Sequence, residues 1–327
     1  MTGLTRSELV TVFGGSGFIG TQVVRALAQR GWRVRVAVRR PHLAYKLQTA
    51  GRVGQIQVVQ ANVGVPDSVD AALEGASACV NLVGLLYETG SRKFQTLHVE
   101  GARNVAEACA AHGIEDLVHM SALGADPDSS SVYARTKGDG EQAVRRVVPG
   151  ATIFRPSVVF GPEDNFFNKF AQLAIMAPAL PLPGGGKTRF QPVYVGDVAE
   201  AIAEAVDDRA CAGKTYELAG PVTYTFKDLM QIVLAETHRR RLLLPIPYAA
   251  ASLMGVAGNI QALLQPFAPA PVITSDQVLL LQRDNVVSGA FPGLRELQIT
   301  PNALEAIVPT YLWRYRKGGQ FAQPTVA

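Results

Sequence analysis

One long run of this sequence has no carboxylates: no Asp or Glu occurs from Leu9 to Pro66, while Arg25, Arg30, Arg33, Arg35, Arg39, Arg40, Lys46 and Arg52 all fall there. Such a segment favours an anionic ligand over a cation. Cysteine is scarce as well. Cys79, Cys109 and Cys211 lie far apart and form no C-x-x-C pair, which excludes a disulfide framework and points to buried thiols in a reduced compartment. The formal charge of +4 is mild, and no basic run is interleaved with aromatics, so nucleic acid is not an expected partner. Phosphate ligands and an anionic membrane surface stay open. The first residues, Met1 to Glu8, carry no apolar run of their own, so no signal peptide is expected. There is no internal repeat and no low-complexity tract.

Charge is also absent from Leu242 to Ser275, immediately after Arg239-Arg240-Arg241. Pro245, Pro247, Pro266, Pro269 and Pro271 break that stretch, and Asn259, Gln261 and Gln265 dilute its centre. A membrane-spanning helix is therefore not expected. Two readings remain, with internal packing ahead of contact with a membrane surface or a partner.

The 327 residues, 48% hydrophobic and 18% charged, suffice for one large or two modest domains with a real core. The most informative stretch is Glu8 to Arg30. Leu9 to Phe13 is a short apolar run rich in β-branched residues, and Val23, Val24 and Leu27 recur at helical spacing. Gly14, Gly17 and Gly20 sit at the junction between them. A strand, a glycine turn and a helix in that order make a dinucleotide cradle: the glycines allow a tight turn, close approach to a pyrophosphate and helix-on-strand packing. The helix N-terminus adds N–H donors and a positive dipole end.

Strand-like runs follow at Val34 to Val38, Ile56 to Val59, Ala78 to Val83, Leu117 to Met120 and Thr152 to Arg155. Helical periodicity separates them at Pro66 to Leu73, Phe94 to Ala111 and Val132 to Val147. That alternation implies an α/β protein with a Rossmann-type, doubly wound parallel sheet. The expected domains are a dinucleotide-binding one over 1–156 and a smaller α+β region over 157–327, parts of it interleaved with the sheet. In the latter, Pro181 to Gly186 reads as a loop, Phe190 to Val195 as a strand and Val198 to Val206 as a helix. Phe166, Phe167, Phe190 and Tyr194 are pocket or core candidates.

The second strand ends in Arg39-Arg40 where NAD-binding folds usually offer a carboxylate to the ribose. A guanidinium binds a 2′-phosphate bidentately, so NADPH is the expected cofactor and NAD the less favoured one. The other cations of the run are read as solvated surface charges. Tyr133 and Lys137 lie one helical turn apart, an arrangement in which the ammonium favours phenolate and fits the tyrosine for proton transfer. Ser121, at the end of the fifth strand, is placed to present a hydroxyl beside Tyr133. No metal site is expected.

On Gly14/Gly17/Gly20, Asn81-Leu-Val-Gly84, Ser121, Tyr133, Lys137, Arg155 to Pro162 and Gln191 to Val198, the chain resembles the extended or atypical short-chain dehydrogenase/reductases. The resemblance implies that Ser121 polarises a carbonyl, Tyr133 transfers a proton and Lys137 holds the nicotinamide ribose. It also implies a cofactor contact set of Gly14, Ser16, Gly17, Phe18, Ile19, Gly20, Arg39, Arg40, Asn62, Val63, Val83, Gly84, Tyr133, Lys137 and Pro156. Three departures weaken catalysis more than binding: the short spacing from Ser121 to Tyr133, His98 where an Asn is common, and Asn62 where many members carry an Asp. His98 is read as structural rather than as a relay.

Over nearly the whole chain, Ser130 to Lys137, Phe160 to Phe170, Gln191 to Val195 and Pro292 to Leu297 resemble the NADPH-binding accessory subunits of respiratory complex I. That resemblance implies NADPH held as a structural ligand, partners among the complex I subunits, and a place on the cytoplasmic side near the membrane. It gives the tail Tyr311 to Lys317 a role at a membrane or partner surface, against the reading of an ordinary basic terminus. The competing function is a free-standing oxidoreductase, epimerase or dehydratase, whose substrate the sequence does not name; a nucleotide-sensing regulator is a third.

Overall fold

The computed structural model describes residues 8–90, 92–264 and 271–321. The opening Met1 to Ser7, and Gln265, Pro266 and Pro269 of the uncharged stretch, lie outside the described residues. In chain order come β1 (Leu9–Phe13), α1 (Phe18–Gln29), β2 (Arg33–Val38), β3 (Ile56–Gln60), α2 (Pro66–Leu73), β4 (Ala78–Asn81), α3 (Gly101–Ala111) and β5 (Asp116–Met120). These are followed by α4 (Val132–Val147), β6 (Thr152–Pro156), β7 (Val159–Phe160), α5 (Phe167–Met176), β8 (Ala179–Pro183), β9 (Arg189–Phe190), β10 (Val193–Tyr194) and α6 (Val195–Asp207). Then come β11 (Thr215–Leu218), β12 (Tyr224–Thr225), α7 (Phe226–Glu236), β13 (Leu242–Ile246), α8 (Tyr248–Leu263), α9 (Ser275–Leu280), α10 (Leu304–Ile307) and α11 (Pro309–Leu312).

The chain divides into two compact units, the first made of residues 1–156, 196–218 and 289–299. Its sheet has seven parallel strands in the order β11-β6-β5-β4-β1-β2-β3. Every residue of β1 and β4 is buried, as a strand covered on both faces requires. The strand order reverses between β1 and β4, which makes their carboxyl ends the crevice where open α/β sheets bind ligands. Its first segment ends at Pro156, and later segments join it. Residues 196–218 return to the first unit because α6 and β11 complete the parallel sheet beyond β6.

Of the cations read as solvated, two are structural. Arg30 pairs with Glu204 at 2.8 Å, Asp207 at 2.9 Å and Glu200. Arg35 donates to Ala72 O at 2.9 Å and Glu74 O at 2.7 Å. Arg30 thereby ties the end of α1 to α6, and Arg35 ties β2 to the end of α2.

The second unit, residues 157–195, 219–288 and 300–327, holds three two-stranded ladders, β7 with β10, β9 with β12 and β8 with β13. Phe167 and Phe190 are buried in its core, with Phe166 and Tyr194 packed against it, so these residues are core rather than pocket lining. The stretch read as a loop, Pro181 to Gly186, instead begins in β8. Prolines are tolerated there because the ladder has only two strands, leaving an edge on which no N–H is needed. The Phe190 to Val195 strand is split in two at Gln191-Pro192, and the helix after it starts earlier, at Val195. The tail is not a free basic terminus. Tyr311 donates to Asp164 at 2.7 Å, Arg314 to Asn168 Oδ1 at 2.6 Å and Arg316 to Glu236 Oε2 at 3.0 Å.

Candidate functional site

The turn after β1 is built by glycine at two decisive positions. Gly14 has φ +79°, in the left-handed region, and its N–H donates to Ala37 O at 3.1 Å. A Cβ on Gly20 would stand 2.3 Å from Gly14 O, so only glycine lets α1 close onto the turn. Gly17 caps α1 with no side-chain bond, and Ser16 and Gly17 are exposed while Phe18 and Ile19 are half-buried. The opening turn of α1 thus faces outward beside the switch point with no side chain filling its anion position. Val83 forms the opposing wall, its Cγ2 lying 3.4 Å from a Cβ placed on Gly14. Asn81 shapes that wall by accepting from Val83 N at 3.1 Å.

Arg39 and Arg40 are both exposed at the end of β2. Burial, then the nearby charges of Arg92 and Arg40, lowers the Arg39 pKa from its ordinary value. Arg92 was not singled out from the sequence, since it lies 52 positions beyond Arg40 in an irregular segment after β4. Its proximity makes a cluster of like charges, which an anion would relieve. Asn62 Oδ1 is turned back to accept from Gly64 N at 3.2 Å, and Val63 is buried with its carbonyl accepting from Asn104 at 2.9 Å. Both lie directly after β3.

Tyr133, Lys137 and Glu141 follow one another at helical spacing along α4. Lys137 Nζ is buried and donates to Met120 O at 3.1 Å. Burial pushes its pKa down to about 8, against an opposing effect of Glu141. A Cβ on Gly84 would sit 3.2 Å from this nitrogen, so glycine there leaves room for the ammonium against the segment after β4. The Tyr133 ring packs edge-on to Phe94 at 5.7 Å and His98 at 5.5 Å.

Ser121 follows directly after β5. Its N–H continues the ladder to Phe154 O at 2.7 Å, and its hydroxyl donates to the buried Glu141 carboxylate. Glu141 is in turn held bidentately by Arg155, at 2.8 Å from Nε and 2.6 Å from Nη2. Side chains alternate faces along a strand and its extension, and Ser121 falls on the face that meets Glu141. A hydroxyl whose proton goes to a carboxylate has no donor left for a substrate carbonyl. Pro156, buried at the end of β6, accepts from Leu123 N at 2.9 Å and lines the end of that ladder.

His98 is buried and bonded through both ring nitrogens. Its Nε2 accepts from Leu85 N at 2.9 Å, which leaves the proton on Nδ1, 3.1 Å from Thr136 Oγ1. Thr136 passes its own proton to Val132 O at 2.8 Å. Burial, then Lys137 and His119, lowers the His98 pKa to about 2, so the ring is neutral. Among the described residues no cluster of His, Cys, Asp or Glu is built to hold a metal ion.

The sheet order, the glycine turn at its switch point and the α4 pair agree with a known family. The model of the NAD dependent epimerase/dehydratase family matches residues 10–219. The chain belongs to that family. As a member it takes a nicotinamide dinucleotide as its cofactor class, and the glycine cradle fits the pyrophosphate of that group. Two relatives match this family member almost end to end. The mitochondrial NADH dehydrogenase (ubiquinone) 1 alpha subcomplex subunit 9 of Arabidopsis thaliana is 35% identical over 324 residues, 98% of this chain and 81% of that one. Its counterpart in Mus musculus is 35% identical over 310 residues, 94% and 80% of the two chains. Among solved structures, the Citrobacter sp. triphenylmethane reductase complexed with NADP(H) superposes with a TM-score of 0.71 at 20% identity. That superposition covers 92% of this chain and 99% of that one, and shows the shared fold.

Proposed function

We propose that this epimerase/dehydratase-family chain is an accessory subunit of an NADH:quinone oxidoreductase that holds NADP(H) with little or no turnover of its own. The observation that carries the assembly is the 94–98% of the chain matched by relatives named as subunits of NADH dehydrogenase. The geometry supports the low turnover: the Ser121 hydroxyl is committed to Glu141, and Lys137 is bonded to a main-chain carbonyl. When bound, the nicotinamide supplies hydride chemistry. The residues of this chain orient it: Gly14, Ser16, Gly17, Phe18, Ile19 and Gly20 cradle the pyrophosphate, Arg39, Arg40 and Arg92 take the 2′-phosphate, and Asn62 and Val63 flank the adenine. Val83, Gly84, Tyr133, Lys137 and Pro156 surround the nicotinamide half. In this reading the protein sits on the cytoplasmic side against the peripheral arm, and among the described residues no helix is long and apolar enough to cross a membrane.

Native affinity purification from the source cells tests the reading. The expected result is recovery with quinone oxidoreductase subunits and stoichiometric NADP(H) released on denaturation. Recovery alone, with an NADPH-dependent activity abolished by Tyr133→Phe, would establish the free-standing oxidoreductase instead.

A further inference from the structure

The second unit carries a helix that is built inside out. The buried residues of α8 are Ala251, Gly255, Gly258 and Ala262, all small. They let the backbone lie against the start of α9 so closely that a Cβ on Gly255 would stand 2.7 Å from Ser275 N. The large side chains of α8 point the other way: Leu253 is 75% exposed, Val256 52%, Ile260 57% and Leu263 64%. These positions recur at helical spacing, so they form one aliphatic stripe opposite the small-residue face. A stripe of small residues inside is ordinary close packing; the large aliphatic stripe outside is what needs a partner.

The preceding element repeats the pattern. On β13, Leu242 is 74% and Leu244 54% exposed, and Leu242 N bonds to Pro178 O at 3.2 Å, next to the end of α5 where Met176 is 71% exposed. Arg239, Arg240 and Arg241 lead into β13, and no carboxylate occurs between Glu236 and Asp276. Arg239 and Arg241 are steadied by main-chain carbonyls, at 3.1 Å from Tyr315 O and 2.8 Å from Ala174 O, while Arg240 is exposed.

We propose that α8 and β13 lie on an anionic lipid surface, with the Leu253, Val256, Ile260 and Leu263 stripe in the acyl boundary and Arg239–Arg241 among the headgroups. An aliphatic stripe beside arginines, with no acid across 39 positions, matches the chemistry of a helix lying in a membrane interface. A protein partner of ordinary kind would call for aromatic anchors and hydrogen-bonding side chains among the apolar ones, and the stripe offers neither. The inference goes beyond the assembly reading and does not depend on it.

Vesicle co-sedimentation of the purified full chain provides the test. The protein is expected to pellet with phosphatidylglycerol-containing vesicles and to bind pure phosphatidylcholine about tenfold more weakly or worse. Arg240→Gln should lower binding to anionic vesicles about fivefold, roughly the effect of one surface arginine. Leu253→Glu with Ile260→Glu should lower it by about tenfold or more. Both sites are exposed, so the thermal melt and NADPH retention of the double variant should match the parent. Failure of the parent chain to bind either vesicle, or undiminished binding by the double variant, would overturn the proposal. So would loss of co-purifying subunits in the double variant when the parent stays in the vesicle supernatant, which would make this face a protein dock. No respiratory complex enters the vesicle readout, so this inference and the assembly reading can fail separately.

Discussion

His98 and His119 show how single buried side chains set the conditions under which the site exists. Burial first, then Lys137, pushes the His119 pKa down to about 3, and His98 lies at about 2. Both folded-state values are below the ordinary 6.5. Their contribution to stability is therefore complete above that pH and is lost as pH falls, because the unfolded chain takes up protons that the folded one refuses. The expected loss is about 1.4 kcal/mol per pH unit from each ring below the ordinary pKa. In a pH series of thermal melts, His98→Asn should halve that slope, since an amide can still accept from Leu85 and donate to Thr136. An unchanged slope would contradict the neutral assignment of His98. Lys137 titrates near neutrality for the same reason, burial, but with its charged form still dominant at pH 7. At the other end of the cradle, Arg39→Glu or Arg92→Glu should weaken NADPH about ten- to hundredfold while leaving NADH binding nearly unchanged. Equal weakening of both cofactors in a binding titration would remove Arg39 and Arg92 from the phosphate site.

At the scale of elements, the turn between β1 and α1 depends on backbone space more than on any contact. Gly20→Ala puts a methyl where Gly14 O already sits, so it is expected to cost about 1–3 kcal/mol and to abolish cofactor retention, read by melt and by gel filtration with NADPH. A variant that kept its NADPH would mean that the turn opens freely. This element was legible in the sequence because its signal is local: strand, glycines and helix are consecutive. The same holds for α2 and α4, whose bounds follow directly from apolar periodicity. Ser121 was not legible in that way. Its orientation is decided by Glu141 and Arg155, which arrive on other elements, and a strand end read from sequence gives the residue without its face. Arg92 was missed for a related reason, since only the fold brings it to Arg39. In the second unit, Pro181 to Pro183 looked like a loop because proline opposes a central strand; an edge pairing with β13 removes that objection.

For the whole molecule, the sheet of a nicotinamide-dinucleotide family keeps the glycine cradle, with Arg39 and Arg40 exposed at the end of β2, while the Ser121 hydroxyl bonds to the Glu141–Arg155 ion pair. The second unit adds a closely packed aromatic core and an outward aliphatic stripe, features suited to being held in place. In the proposed reading the cofactor serves position and assembly. The measurement that tests it most directly is the quantity of assembled quinone oxidoreductase, read by native electrophoresis, in cells whose only copy of this chain is Tyr133→Phe or Gly17→Asp. Assembly should be normal with Tyr133→Phe and lost with Gly17→Asp, which blocks the pyrophosphate turn. Loss of assembly with Tyr133→Phe while NADPH remains bound would contradict it.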